Sequence, residues 1–464
     1  MKSIVLILLI ILGIGMLWGQ EITGDWHGVL EINGMKIRIV FHIKGSRDKL
    51  SATFDSPDQG AFGLPVSSIS FVDSVLTMES TTPPLTYIGT LKNNAITGVF
   101  EQYGTEFPLN MQREAIKKPT YNRPQEPKKP YPYREKSVKF KNKEAGIKLA
   151  GTLTLPKQKG VYPAVILVSG SGPQDRNEDI LGHKPFMVIA DYLTRLGVAV
   201  LRYDDRGVGK SGGKFSTATS HDFASDVKSA VKYLQSRKDI GRIGLIGHSE
   251  GGLIAPLVAV DMPSVEFIVL LAGTGIRGDK LLLLQEELIW RVDEPDEDKI
   301  QKSLYINRNI FDIILNTPDN ENLGSKMRKF LEDSIADSLI TIPEGYSQED
   351  LIGQYIEAFN NPWMLTFLMH DPAPTLQKVK CAVLAVNGSK DLQVPADINL
   401  QAIESALKQG ENPNFLTHKF EGLNHLFQEC NTGHPKEYAE IEQTFSPKAL
   451  EAISQWILQQ TEHK

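Results

Sequence analysis

From Val138 to the C-terminus, short apolar runs alternate with stretches of helical period. Ala164–Val168, Val198–Tyr203, Ile243–Gly247, Val265–Leu271, Ala382–Val386 and Phe415–Phe420 read as strands. Between them, Lys184–Leu196 puts Phe186, Ile189, Leu193 and Leu196 on one face and stops at Gly197. Phe223, Val227, Val231 and Leu234 mark a second helix, with Ser220 as a candidate cap. Ser446-Pro447 opens a last one, striped by Leu450, Ile453 and Ile457. Strands alternating with helices predict an α/β unit over 136–464, built on a mostly parallel sheet with flanking helices. Residues 274–378 interrupt the alternation with helical patterns at Met327–Leu331 and Leu351–Phe359, which predicts a helical cap insertion. Trp363, Met364, Phe367 and Met369 then belong either to an acyl pocket or to the core of that cap.

Residues 20–115 have a different period. His27–Ile32, Lys36–Ile43, Val75–Met78 and Ala95–Phe100 alternate polar and apolar positions, separated by turn residues such as Asn33-Gly34 and Asp55–Gly60. That predicts a small antiparallel β domain, a barrel or a sandwich, preceding the α/β unit. Gly24-Asp-Trp26 resembles the entry to lipocalin-like barrels, and the domain is expected to be structural or for docking rather than for ligand binding. Residues 116–135, with Pro124-Gln-Glu-Pro-Lys-Lys-Pro130, read as an extended linker. At the start of the chain, Lys2 precedes an apolar run from Ile4 to Ile14, and Leu17-Trp-Gly19 stands before Gln20. This is the form of a secretory signal peptide over 1–19, cleaved to leave no stable membrane insertion, with a retained anchor as the alternative. No cysteine follows it to carry a lipid.

Composition changes the picture little. Hydrophobic residues make up 41% of the chain and charged residues 23%, ordinary for a globular protein. A net charge of -6, with no basic cluster outside the linker, argues against a nucleic-acid partner. The two cysteines, Cys381 and Cys430, are expected at opposite ends of a strand and unbonded. No metal-ligand spacing occurs, and no cofactor is expected.

The candidate chemistry centres on Ile243-Gly-Leu-Ile-Gly-His-Ser-Glu-Gly-Gly252. An apolar strand feeds Gly-x-Ser-x-Gly and then an apolar helix, the sequence form of a nucleophile elbow with Ser249 at its tip. Gly247 and Gly251 fit a turn too tight for side chains. A hydroxyl needs a base to take its proton, and an imidazole oriented by a carboxylate does so near neutral pH. Asp391 follows the strand Ala382–Val386, with Asp397 as the second choice. His425 follows Phe415–Phe420 on a glycine-containing loop, whereas His418 lies inside that strand and His434 and His463 follow no strand. The oxyanion of an acyl-transfer intermediate needs backbone donors. The N–H of Glu250, after the nucleophile, is one. The N–H of Ser171, in the loop Ser169-Gly-Ser-Gly-Pro-Gln-Asp-Arg176, is the other. That glycine-rich loop lacks the residues of a phosphate cradle. Asp204-Asp-Arg206 is expected to form a buried Asp–Arg brace.

Ser169–Arg176, Tyr203-Asp-Asp-Arg-Gly-Val-Gly-Lys-Ser211 and Gly247–Gly252 together resemble motifs of secreted bacterial α/β-hydrolases related to the serine-aminopeptidase group. The resemblance covers roughly residues 137–464. It implies the α/β-hydrolase fold, a triad of Ser249, Asp391 and His425, an oxyanion hole of Ser171 and Glu250, and a small-molecule ester as substrate. The chain departs from the His-Gly oxyanion motif of many hydrolases, having Ser169-Gly170 instead. Two alternatives stay open. One is a peptidase holding a substrate ammonium on Glu250, Asp175 or Glu178. The other is a non-catalytic binding protein built on the N-terminal domain.

Overall fold

The structure is a computed structural model that describes residues 21–32, 35–46, 49–59, 61–81, 84–102, 105–117, 122–293, 296–317, 321–342 and 347–461. The expected signal peptide and His463 lie outside these residues. The chain divides into two compact units, the first up to Pro119 and the second from Thr120.

The first unit is β1 (Gly24–Ile32), β2 (Met35–Ser46), β3 (Lys49–Ser56), β4 (Ala61–Pro65), β5 (Ser68–Val72), β6 (Val75–Thr81), β7 (Pro84–Lys92), β8 (Ala95–Gln102), β9 (Thr105–Pro108) and β10 (Met111–Gln112). They pair antiparallel in the order β4-β3-β2-β1-β10-β8-β7-β6-β5, with β9 on β8. The ends of this path are consecutive in the chain. Val66 N–H donates to Ala52 O on β3 (3.2 Å) and Ser67 N–H to Glu79 O on β6 (2.7 Å), so one segment bonds both edges. The sheet therefore closes as a barrel, not a sandwich. Its inward positions, among them Trp26, Phe41, Met78, Tyr87 and Phe100, form a hydrophobic core. The Arg113 guanidinium lies 3.7 Å over the Trp26 ring.

The second unit carries β11 (Arg134–Asn142), β12 (Ile147–Leu155), β13 (Tyr162–Val168), β14 (Ala199–Tyr203), β15 (Ile240–His248), β16 (Val265–Leu271), β17 (Ala382–Gly388) and β18 (Phe415–Phe420). Their order is β11-β12-β14-β13-β15-β16-β17-β18. β11–β12 and β12–β14 pair antiparallel and the remainder parallel. The central strands are apolar on both faces because helices cover both. One core packs against α2 (Ser220–Gln235), α3 (Glu250–Asp261) and α10 (Ala396–Gln409), and the other against α1 (Pro185–Arg195) and α11 (Pro447–Thr461). At about 25 cal/mol per Å² of apolar surface, these two cores are the main source of the sheet's stability.

Three sequence expectations change in detail. The cap of α2 is Thr219, not Ser220: its side chain accepts from Asp222 N–H while Asp222 reaches back to Thr219 N–H, a capping box. Ser220 is left free for the site described below. Part of the expected linker is fastened to the second unit. Arg123 donates to Ile441 O (2.6 Å) and Ala439 O (2.9 Å), and the Gln125 amide donates to Phe445 O (2.6 Å). The Asp204-Asp-Arg206 residues do not pair with one another. Asp204 is gripped by Arg176, while Arg206 binds Asp222 and Asp226.

The interruption between β16 and β17 is helical: α4 (Gly278–Asp293), α5 (Glu297–Leu315), α6 (Leu323–Ala336), α7 (Gln348–Phe359), α8 (Pro362–Met369) and the short α9 (Ala373–Leu376). It has its own core around Ile310, Met327, Leu331, Ile352 and Leu368.

Candidate active site

Ser249 sits between β15 and α3 with φ 53° and ψ −116°. A non-glycine residue held there costs on the order of 1–3 kcal/mol, and the surrounding packing must impose it. The packing is visible. A Cβ on Gly247 would lie 2.0 Å from Gly251 O, and one on Gly251 would lie 2.2 Å from Val168 O. Only glycine lets strand, turn and helix close so tightly, and the turn lifts the serine above the C-terminal edge of the sheet. Ser249 N–H is tied to Leu271 O (2.9 Å) and Ser249 O accepts from Gly252 N–H (2.8 Å).

The loop beyond β17 carries Asp391, with Oδ1 accepting from Gln393 N–H (2.8 Å) and Val394 N–H (2.9 Å). This turns Oδ2 to His425 Nδ1 at 2.8 Å, with both side chains buried. With its Nδ1–H donating to Asp391, the ring keeps Nε2 free to act as the base. The other candidates are placed elsewhere. Asp397 pairs with Lys419 at the surface (2.7 Å). His418 is exposed on β18, edge-on to Phe420. His434 Nδ1 accepts from Lys436 N–H. No hydrogen bond joins the Ser249 hydroxyl to His425 among the described residues. What the structure places is the loop of His425 against the elbow: His248, adjacent to Ser249, approaches His425 O with Nε2 at 3.1 Å.

The loop after β13 passes beside the nucleophile, since a Cβ on Gly170 would lie 3.1 Å from Ser249 Cβ. Gly170 N–H is committed to Glu178 Oε1 (2.9 Å), so the next amide, that of Ser171, is the available donor. Asp205 fastens this loop at two points, accepting from Ser169 Oγ (2.8 Å) and Gln174 N–H (3.0 Å). Burial pushes the Asp205 carboxyl up to about 8 against these two hydrogen bonds, and the nearby Glu178 and Glu250 carboxyls push the same way. Glu250 opens α3, and its side chain is buried as well. It accepts from Ser220 Oγ (2.6 Å) and Trp363 Nε1 (2.9 Å), and burial pushes its carboxyl above the usual range. Trp363, stacked on Phe367 at 5.1 Å between ring centroids, thereby ties the cap helix α8 to the elbow. Phe367 is buried, Met364 half-buried and Met369 exposed.

The elbow motif contains His248 but by itself gives that residue no role, and the sequence offers Glu178 only as a candidate for holding an ammonium group. The signal was the position of His248, on a strand end directly before the nucleophile. Cys381 and Cys430 are free thiols, pushed up by burial to about 12 and about 11. Among the described residues no group of three His, Cys, Asp or Glu side chains is arranged to hold a metal ion.

Comparison with known proteins bears on the second unit. A family model described as serine aminopeptidase, S33, matches residues 184–340. Together with the strand order and the elbow, that match decides the fold. The second unit has the α/β-hydrolase fold. Esterase EstD of Thermotoga maritima is 40% identical to this chain over 111 residues, 24% of this chain and 27% of that protein. The alignment thus spans little more than a quarter of that relative. Among solved structures, an esterase of Pyrococcus furiosus is 16% identical with a TM-score of 0.43, covering 71% of this chain and 92% of that one. Est1E of Butyrivibrio proteoclasticus, solved with ferulic acid bound, is 17% identical with a TM-score of 0.39, covering 70% and 98%. Within the second unit, Ser249, Asp391 and His425, the positions expected from sequence, all fall at the C-terminal edge of the parallel strands, where α/β folds collect their functional groups.

Proposed function

We propose that this protein is a serine hydrolase that cleaves carboxylic esters through an acyl-enzyme on Ser249. The observation that carries the reading is the buried Asp391–His425 pair, with the His425 loop bonded to the residue before a strained serine. His425 takes the Ser249 proton as the oxygen attacks the ester carbonyl. The tetrahedral oxyanion is met by the N–H groups of Ser171 and Glu250. His425 then returns the proton to the departing alcohol. Water, deprotonated by the same imidazole, repeats the sequence to release the acid. Asp391 holds the tautomer throughout and stabilises the imidazolium.

The ester reading is favoured over aminopeptidase action by the state of the acids. A substrate ammonium needs an uncommitted carboxylate. Glu250 is engaged by Ser220 and Trp363, Glu178 by Gly170 and His248, and Asp175 by Asn177. Residues 1–19 direct export in this reading, placing the enzyme outside the cytoplasm. Parallel turnover of p-nitrophenyl acyl esters and amino-acid p-nitroanilides tests the proposal. Ester turnover well above anilide turnover, unchanged by EDTA, is expected. A preference for the anilides would replace the ester reading with the peptidase one.

A further inference from the structure

Beneath the candidate triad lies a second acid–histidine pair that the mechanism does not use. Glu178 and His248 are both almost wholly buried, at 1% and 5% exposure. His248 Nδ1 lies 3.0 Å from Glu178 Oε1, and Nε2 lies 3.1 Å from the carbonyl oxygen of His425. The same Glu178 oxygen accepts from Gly170 N–H at 2.9 Å. The His248 and His425 rings are 4.8 Å apart, centroid to centroid. A carbonyl only accepts, and so does a carboxylate. Nε2 therefore donates to His425 O, while Nδ1 faces a Glu178 oxygen that also accepts from Gly170 N–H. Burial disfavours a charged His248, but the neighbouring Glu178 and the hydrogen bonds more than offset it and raise His248 above its ordinary value.

The pair joins three separate parts of the chain. Through Glu178 it holds the amide immediately before Ser171, on the loop after β13. Through Nε2 it holds the backbone of His425, on the loop after β18. Its own backbone is the last residue of β15, next to Ser249. We propose that Glu178 and His248 are positioning residues, whose hydrogen bonds set the oxyanion loop and the base loop in register with the nucleophile. This rests on the serine-hydrolase reading and adds to it a buried clamp that touches no substrate atom. The connection is direct: a rotation of the Gly170 amide turns the Ser171 N–H, and a shift of His425 O moves the imidazole that must reach Ser249. Displacements of about 1 Å in such groups cost roughly a hundredfold in rate.

The test compares wild type, Glu178→Ala, Glu178→Gln and His248→Ala in steady-state ester hydrolysis, with labelling by an organophosphonate and thermal melts on the same preparations. Glu178→Ala removes the acceptor of Gly170 N–H and of His248. Its kcat is expected to fall tenfold to a hundredfold, roughly, with KM changed less than about threefold, and labelling should slow in parallel. His248→Ala should do the same. Glu178→Gln keeps an oxygen at that point and should recover most of the kcat, which a requirement for overall fold alone would not predict to track kcat without KM. Folded Glu178→Ala with wild-type kcat would overturn the clamp while leaving the serine-hydrolase reading intact. So would a loss of kcat that only follows the folded fraction in the melts. A wild type with neither ester turnover nor labelling would overturn both.

Discussion

Asp391 and Asp397 are two carboxylates on neighbouring turns of chain, and their surroundings separate them. Asp391 is buried, with one oxygen held by two backbone N–H groups and the other on His425. Asp397 is solvent-exposed and pairs with Lys419. Asparagine at the first position keeps the shape but allows the wrong imidazole tautomer, so Asp391→Asn should lower kcat by about ten-thousandfold. Asp397→Asn loses only a solvent-screened surface ion pair and should leave kcat within about twofold. Steady-state kinetics on the two variants separates them, and a large loss confined to Asp397→Asn would reassign the acid. The sequence could rank these residues because Asp391 directly follows a buried strand and His425 directly follows the next. It could not show that Glu178, Asp205 and Glu250 are each already bonded, since their partners Gly170, Ser169 and Trp363 are brought to them only by the fold.

At the scale of elements, the elbow depends on β15, α3 and β13 meeting without side chains between them. Gly251→Ala would put a methyl 2.2 Å from Val168 O, a backbone atom that cannot turn aside. Overpacking of this kind costs roughly 1–3 kcal/mol. The variant should melt lower and lose ester turnover together, and an unchanged Tm with full activity would contradict the elbow packing. In the barrel, β1, β2 and β3 bring His42 between Asp25 (2.8 Å) and Asp55 (3.0 Å). Burial pulls the imidazole down, but the two carboxylates more than offset it and raise it above the ordinary value of 6.5. A group raised in the folded state stabilises fully below its unfolded value, and that stability is lost as pH rises through the folded one. The barrel transition of wild type should therefore exceed that of His42→Asn at pH 5 and converge on it by pH 9, in calorimetric melts. A gap that widened with pH would reverse the sign. The period-2 and period-3.6 patterns made both architectures legible. Closure of the barrel was not, because it depends on β1 pairing with β10, Gly28 opposite Met111, across most of the domain's sequence.

For the whole molecule, the proposed chemistry lies in the second unit, and the barrel has a packed core of its own. The second unit brings Ser249, Asp391 and His425, from three separate loops, to one sheet edge. The central claim is that Ser249 carries the acyl group. Its most direct test is Ser249→Ala, measured for p-nitrophenyl ester turnover and for labelling by an organophosphonate, with a thermal melt as control. Wild type should be labelled at a single residue, Ser249, and be inactivated in proportion. The variant should melt like wild type, take no label, and retain only the small residual rate that the oxyanion and binding groups supply. Turnover near the wild-type level in folded Ser249→Ala, or label found on another residue, would contradict the account.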